Sequence, residues 1–276
     1  MAADPVSRVK LVVSDVDGTI VQTDKSVSPG TVAAAQRLQD AGVSLAIVSA
    51  RPPRGMTYIT DTLKLRGPYA GFNGGMVVGP DGATLEWNPA PPACVRQALD
   101  LYEKRGISVF LFTQDEWLIR DPGGPHVEHE RRTVKFDARV VPDFAPYVDQ
   151  VGKLVGVTDD HPLLADAERE LQGIVGDKAN AVRSQTYYLD LTHPSANKGN
   201  AVRILAKHAG CKPEEVVAMG DQNNDIPMFK VAGYSVCMGN GSADAKRAAA
   251  ATVEHTNDAD GWAEAVDTLI LPRARG

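Results

Sequence analysis

Three stretches of the chain are apolar almost without interruption and end on a polar residue: "VKLVVSD" at 9–15, "VSLAIVS" at 43–49 and "VVAMGD" at 216–221. Runs of Val, Leu and Ile without alternation predict strands buried on both faces. Between the first two, residues 29–41 carry a helical pattern, with Ser28 as N-cap, Pro29 at the first helical position and Gly42 beyond the end. A helix is expected near 53–65 and a short strand around 69–72, running into "NGG". The chain up to residue 80 thus alternates β and α, which predicts a parallel sheet with helices on both faces. From residue 198 the alternation returns. "NKGNAVRILAKHAG" is a helix ended by Gly210, 214–221 a strand, "NDIPMFKVAG" a helix, 234–240 a strand, "ADAKRAAAA" a helix and "TVEHT" a short strand.

The middle of the chain has another rhythm. "GMVVGPDGATLEW" reads as a hairpin with Asp81-Gly82 at its turn. Residues 94–106 read as a helix and 107–120 as two short strands; "DPGGPHVEHERRT" reads as a loop leading into a polar segment. "VGKLVGVTDD" is a strand, "LLADAERELQGIVG" a helix, and "ANAVRSQTYYLDLTH" a pair of strands. Hairpins mixed with helices predict an α+β insert. The expected architecture is α/β: a Rossmann-like parallel sheet built from 1–83 and 193–276, interrupted by an inserted α+β cap domain at 84–192.

The polar strand ends carry the candidate chemistry. In open α/β sheets ligands bind outside the carboxyl ends of the strands, and here those ends offer Asp15, Ser49 and Asp221. Asp17 and Asp225 follow closely. Four carboxylates at one sheet edge repel one another unless a cation lies among them or one holds a proton. All the candidate ligands are oxygens, with no His or Cys in these motifs, so Mg²⁺ is the expected cation. Lys198, at the start of a helix, adds positive charge where anions are favoured. A divalent metal, a lysine, a hydroxyl and a carboxylate nucleophile together form a phosphoryl-transfer constellation.

Composition narrows the partners. The 276 residues are 43% hydrophobic and 23% charged, ordinary for a globular protein of one large or two smaller domains. The formal net charge is −6, and no long basic run suggests nucleic acid. No segment has the apolar length of a membrane span, and the N-terminal "MAADPVSRVK" lacks the apolar core of a secretory leader. The three scattered cysteines, Cys94, Cys211 and Cys237, read as reduced packing thiols. These features lead us to expect a cytoplasmic protein, monomer or homodimer, with a small molecule as its partner.

"DVDGT" (15–19), "VSAR" (48–51), "NKG" (197–199) and "GDQNND" (220–225) resemble, in order and spacing, the four motifs of the haloacid dehalogenase superfamily of phosphatases. The position of the insert resembles a type IIB cap, and "FNGG" (72–75) is similar to the Cof-type branch. The resemblance implies a Mg²⁺-dependent phosphatase working through an aspartyl-phosphate. It implies that Asp15 is nucleophile and metal ligand, and that Asp17 is general acid and then base while giving its backbone carbonyl to the metal. It further implies that Ser49 and Lys198 hold the phosphoryl group with Asn224, that Asp221 binds metal, and that Asp225 supports the metal or Lys198. Where the branch often has Thr-Gly-Arg, this chain has Ser49-Ala50-Arg51, which keeps the hydroxyl.

Arg51, Asn73 and Gly74 are possible substrate contacts; Arg51 could instead pair with a core carboxylate, and the "NGG" could be only a turn. "HVEHE" matches no metal motif, so residues 126–132 are expected to form a loop that touches substrate, and Trp87 and Trp117 to be packing residues. A sugar phosphate is the expected substrate. Alternatives are a sugar phosphomutase of the same fold, which would handle a bisphosphorylated sugar, and a non-catalytic sugar-phosphate binding protein.

Overall fold

The computed structural model describes residues 8–274. The reading of the N-terminus against a secretory leader falls largely on residues 1–7, outside the described residues. The chain folds as two compact units. Of the described residues, one comprises 8–50, Met56–Leu85 and 197–274; the other comprises Arg51–Gly55 and Glu86–Ala196.

The first unit is built on an eight-stranded sheet. Its order is Ala251–Thr252, Tyr234–Cys237, Val216–Gly220, Leu11–Asp15, Ser44–Val48, Tyr69–Gly71, Met76–Val78 and Thr84–Trp87. The first six strands run parallel, and Met76–Val78 turns back antiparallel on Tyr69–Gly71. Leu11–Asp15 is the central strand, hydrogen-bonded to Ser44–Val48 on one side and Val216–Gly220 on the other. All five of its residues are buried, as an uninterrupted apolar run requires when helices cover both faces. Leu11, Val13, Ala46 and Val48 pack against Ala201, Val202 and Leu205 of the helix Lys198–His208. The helix Pro29–Asp40 begins as its sequence predicts: the Ser28 hydroxyl accepts the N–H of Thr31 at 3.0 Å, and Pro29 needs no partner at the first turn.

The second unit holds a six-stranded sheet ordered Asn180–Gln185, Tyr188–Thr192, Lys153–Val157, Ser108–Phe112, Trp117–Ile119 and Arg139–Val140. Successive pairs are antiparallel, except the last, which is parallel. Two helices, Pro92–Lys104 and His161–Val175, bury Val95, Ala98, Leu164 and Leu171 against Leu111, Leu154, Leu189 and Leu191. Side chains alternate along a strand. The other face therefore carries Phe110, Phe112, Trp117, Lys153, Tyr188, Asp190 and Thr192.

Three sequence expectations need correction. The segment "HVEHERRT" is not a loop but a helix, Val127–Val134. Its buried positions Val127, Glu130 and Val134 follow helical spacing, but the acid in the middle hides the apolar stripe. The exposed Glu128 braces the helix through Arg131 and Arg132, one helical turn on. The helix expected through 224–233 is a 3₁₀ turn, Asn223–Asp225, followed by only Ile226–Phe229, because Asp225 turns its carboxylate back to bind the loop's backbone. The sequence reading assigns no element beyond "TVEHT", yet Gly261–Ala265 starts a helical stretch that continues through Val266–Ile270 to Leu271–Ala274. Trp262 anchors it, with its indole N–H donating 3.0 Å to the Ser14 hydroxyl.

Candidate active site

The strand order brings three carboxyl ends side by side. Asp15 closes the central strand, Ser49 follows its neighbour Ser44–Val48, and Asp221 follows Val216–Gly220. All three side chains are buried. Lys198, the first residue of its helix, is buried with them. Its ammonium lies 2.6 Å from Asp15 Oδ1 and 2.6 Å from Asp225 Oδ1. Burial opposes the charge on Lys198, but the two carboxylates outweigh it and push its pKa above the ordinary lysine value. Asn197 caps the same helix, accepting the N–H of Asn200 at 2.9 Å, and so fixes where the lysine emerges.

Asp225 is fully engaged. Besides Lys198 on Oδ1, its Oδ2 accepts the backbone N–H groups of Asp221 and Gln222, each at 2.8 Å. It holds the loop that presents Asp221. Asp221 Oδ1 accepts from the Thr19 hydroxyl at 3.2 Å, and Oδ2 from the Gln222 side chain at 3.0 Å. Gly18, at φ +75°, passes so close to the Asp221 carboxylate that a side chain there would collide with it.

Asp15, Asp221 and Asp225 can each bring an oxygen within 4.8 Å of the others. Burial, then the charge of Asp225, raises the Asp15 carboxyl well above the carboxylate range, with Lys198 opposing and Asp221 adding to the rise. Burial likewise raises Asp221. One ammonium is thus too little positive charge for three buried acids. An all-oxygen donor set that is short of positive charge fits a hard divalent cation. Asp15, Asp221 and Asp225 are the side chains that could ligate it, Asp225 while also holding Lys198 and the loop backbone.

The remaining sequence candidates are placed as follows. Asp17 is only partly buried, and its Oδ1 meets the Lys25 ammonium at 2.8 Å. Ser49 donates its backbone N–H to Ala70 O at 2.9 Å and accepts that of Asn73 at 2.8 Å. Asn73 sits in the left-handed region at φ +56°, and its buried Oδ1 has no hydrogen-bond partner. Gly74, at φ +99°, lies so near Ala201 that a Cβ would approach that side chain to 2.8 Å. The "NGG" thus combines two left-handed residues with an unspent buried acceptor next to Ser49. Asn224 is exposed on the 3₁₀ turn. Arg51 groups with the second unit, donating to Thr133 O at 2.8 Å and Gly55 O at 3.5 Å. His126 and His129 join no three-residue metal cluster among the described residues; the His126 ring stacks on Tyr187 at 4.0 Å and meets Asp159 Oδ1 at 2.8 Å.

Sequence reading missed Lys25 and Asn240. Lys25 is eight residues from Asp17 and outside any motif. The Asn240 side chain donates to Gly18 O at 2.8 Å, and it lies outside the four motifs. Lys153, Asp190 and Glu130, buried in the second unit, were also passed over. A charge inside an apolar strand, as in "VGKLVGV" and "YYLDLT", is the signal that exposes two of them.

A family profile described as haloacid dehalogenase-like hydrolase matches residues 12–266. The chain is similar to the pyridoxal phosphate phosphatase of Escherichia coli, 26% identical over 95% of this chain and 99% of that protein. A haloacid dehalogenase-like hydrolase from Bacteroides thetaiotaomicron is 30% identical and superposes with a TM-score of 0.87, covering 94% of this chain and 99% of that one. A solved subclass IIB sugar phosphatase, 20% identical, shares the fold with a TM-score of 0.83, over 95% of this chain and 100% of that one. With the motif order, the strand-end acids and these likenesses in agreement, the chain belongs to the haloacid dehalogenase-like hydrolases, as a phosphatase of the Cof-type branch with subclass IIB architecture.

Proposed function

We propose that this phosphatase is a Mg²⁺-dependent phosphomonoester hydrolase acting on a small sugar phosphate through an aspartyl-phosphate. The observation that carries the reading is the buried Lys198 bridging Asp15 and Asp225 beside Asp221. Asp15 attacks phosphorus, and the bond to the leaving oxygen breaks. Asp17 gives that oxygen its proton, and the leaving group departs as an alcohol. Asp17 then takes a proton from water as the water attacks phosphorus. The bond to Asp15 breaks, inorganic phosphate is released and the nucleophile is restored. Lys198 and Ser49 hold the phosphoryl oxygens, joined by Asn224. Asp15, Asp221 and the Asp17 carbonyl would hold Mg²⁺, which would supply charge neutralisation, and Asp225 positions both Lys198 and the Asp221 loop.

Neighbouring acids take different roles because their surroundings differ. Asp15 is buried against Lys198, whereas Asp17 is partly exposed, lies beyond the strand end and meets Lys25. The unit formed by Glu86–Ala196 is read as the cap domain that selects the leaving group, since the motif residues account only for the phosphoryl group and metal. The small phosphorylated substrate is the partner; we place the enzyme in the cytoplasm, as monomer or homodimer. No helix of the described residues is long and apolar enough to cross a membrane.

Hydrolysis of p-nitrophenyl phosphate tests the reading. Chelation with EDTA should abolish it and Mg²⁺ restore it, while Ca²⁺, with its larger and looser shell, restores it poorly. Full activity after exhaustive chelation would overturn the metal assignment.

A further inference from the structure

The second unit contains a cluster of buried charge that the reaction does not use. On the sheet face opposite the two helices stand Lys153 and Asp190, each with a tenth or less of its side chain exposed. Glu130 reaches the same cluster from the helix Val127–Val134, where it and Val127 are the buried residues among 126–132. Tyr188 Oη donates to Glu130 Oε2 at 3.2 Å. Arg51 lies close enough for its charge to be felt at Glu130.

Isolated buried charges of this kind are expensive, and a structural network closes tightly around them. This one is not closed. Lys153 Nζ is 3.7 Å from Asp190 Oδ2, well beyond the roughly 2.7–2.9 Å of a charge-assisted hydrogen bond. Asp190 Oδ1 is buried with no hydrogen-bond partner, and so is the indole N–H of Trp117 on the same face. The register sets these groups in a row. Trp117 pairs with Phe112, Phe112 with Lys153, and Lys153 with Thr192; Asp190 is two residues from Thr192 and so on the same face. An acceptor and a donor both stand unspent, which is costly in a buried site.

We propose that Lys153, Asp190 and Glu130 form a subsite that binds the hydroxylated part of the phosphomonoester substrate and sets its specificity. The proposal rests on the reading of the enzyme as a sugar phosphatase. A hydroxyl both donates and accepts, so it satisfies Asp190 Oδ1 as donor and Lys153 as acceptor at once. The cluster sets two acids, Glu130 and Asp190, against two bases, Lys153 and Arg51, and that balance suits a neutral polyol. A second phosphate donates nothing to Asp190 and would meet its charge as repulsion, so the cluster argues against a bisphosphorylated sugar.

The test compares catalytic efficiency on glucose 6-phosphate, ribose 5-phosphate and sorbitol 6-phosphate with that on p-nitrophenyl phosphate, in saturating Mg²⁺. The unsubstituted enzyme should prefer at least one polyol ester. In Asp190→Asn, which keeps the side chain's size, the ratio of the best polyol ester to p-nitrophenyl phosphate should fall at least about tenfold. Glu130→Gln should lower the same ratio, and melting curves confirm that both variants fold. An unchanged ratio in folded Asp190→Asn overturns the subsite. So does an unsubstituted enzyme that cleaves p-nitrophenyl phosphate and favours no polyol ester; the phosphatase reading then stands without it. Inactivity on all four esters overturns the phosphatase reading and the subsite together.

Discussion

Lys198 and Lys153 are both buried lysines set against strand-borne aspartates, yet their surroundings differ. Lys198 is 2.6 Å from each of two carboxylates, and the second oxygen of Asp225 is saturated by two backbone N–H groups. Lys153 stands 3.7 Å from Asp190, whose other oxygen has no partner. The first arrangement is closed before any substrate arrives. Phosphoryl transfer asks for that, because fixed charges cost no reorganisation as the reaction proceeds. The second arrangement keeps donors and acceptors in hand, which suits a group that must recognise a variable part of a ligand. On the proposed reading, tight pairing serves the chemistry common to phosphomonoesters and loose pairing the selection among them.

The largest effect that bears on this contrast is on turnover. Asp15→Asn should lower kcat on every substrate alike, by on the order of 10⁴-fold or more. The loss should not depend on the leaving group, unlike the selective losses expected in the second unit. Steady-state rates on p-nitrophenyl phosphate and glucose 6-phosphate check it. A folded variant with near-normal rates would remove Asp15 as nucleophile.

Stability separates the two lysines next. Lys198→Met strands Asp15 and Asp225 as buried charges and should cost about 3–5 kcal/mol. Lys153→Met removes a single pair whose charges stand 3.7 Å apart, against the two 2.6 Å contacts of Lys198. Its cost should be nearer 1 kcal/mol, the ordinary size for a single substitution. Urea denaturation at neutral pH measures both. Equal costs would mean that Lys153 is as firmly locked as Lys198, and the contrast would fail.

The two regions were also unequally legible in the sequence. Asp15, Ser49 and Asp221 announce themselves because each ends an uninterrupted apolar run, and a parallel sheet gathers such ends at one edge. Lys198 follows from its place at a helix start. The division of labour around Asp225 was not readable, since it depends on which oxygen faces the loop backbone. In the second unit the strands were legible from their apolar pattern, but Val127–Val134 was not, because Glu130 occupies the apolar stripe of that helix. Polar residues placed inside for a purpose break the periodicity that reveals an element. The C-terminal helical stretch escaped for a different reason. Its burial comes from contacts with a strand more than two hundred residues away, such as Trp262 with Ser14.

The smallest expected effect concerns pH. Burial raises the Asp190 carboxyl above its ordinary value, with Lys153 pulling the other way and losing. The folded protein therefore holds this proton more tightly than the unfolded chain does. Its contribution to stability is full below the unfolded pKa, near 3.9, and is lost as pH rises through the folded value. Asn cannot titrate, so Asp190→Asn lacks this pH dependence. Asp190 also raises Glu130, so the substitution relieves part of that rise and acts in the same direction. The melting temperature of Asp190→Asn minus that of the unsubstituted protein should therefore grow with pH, on the order of 2–4 °C for each kcal/mol of difference. A difference that shrinks with rising pH would mean that Lys153 holds Asp190 ionised after all, and that this pair is closed in the way Lys198 closes on Asp15.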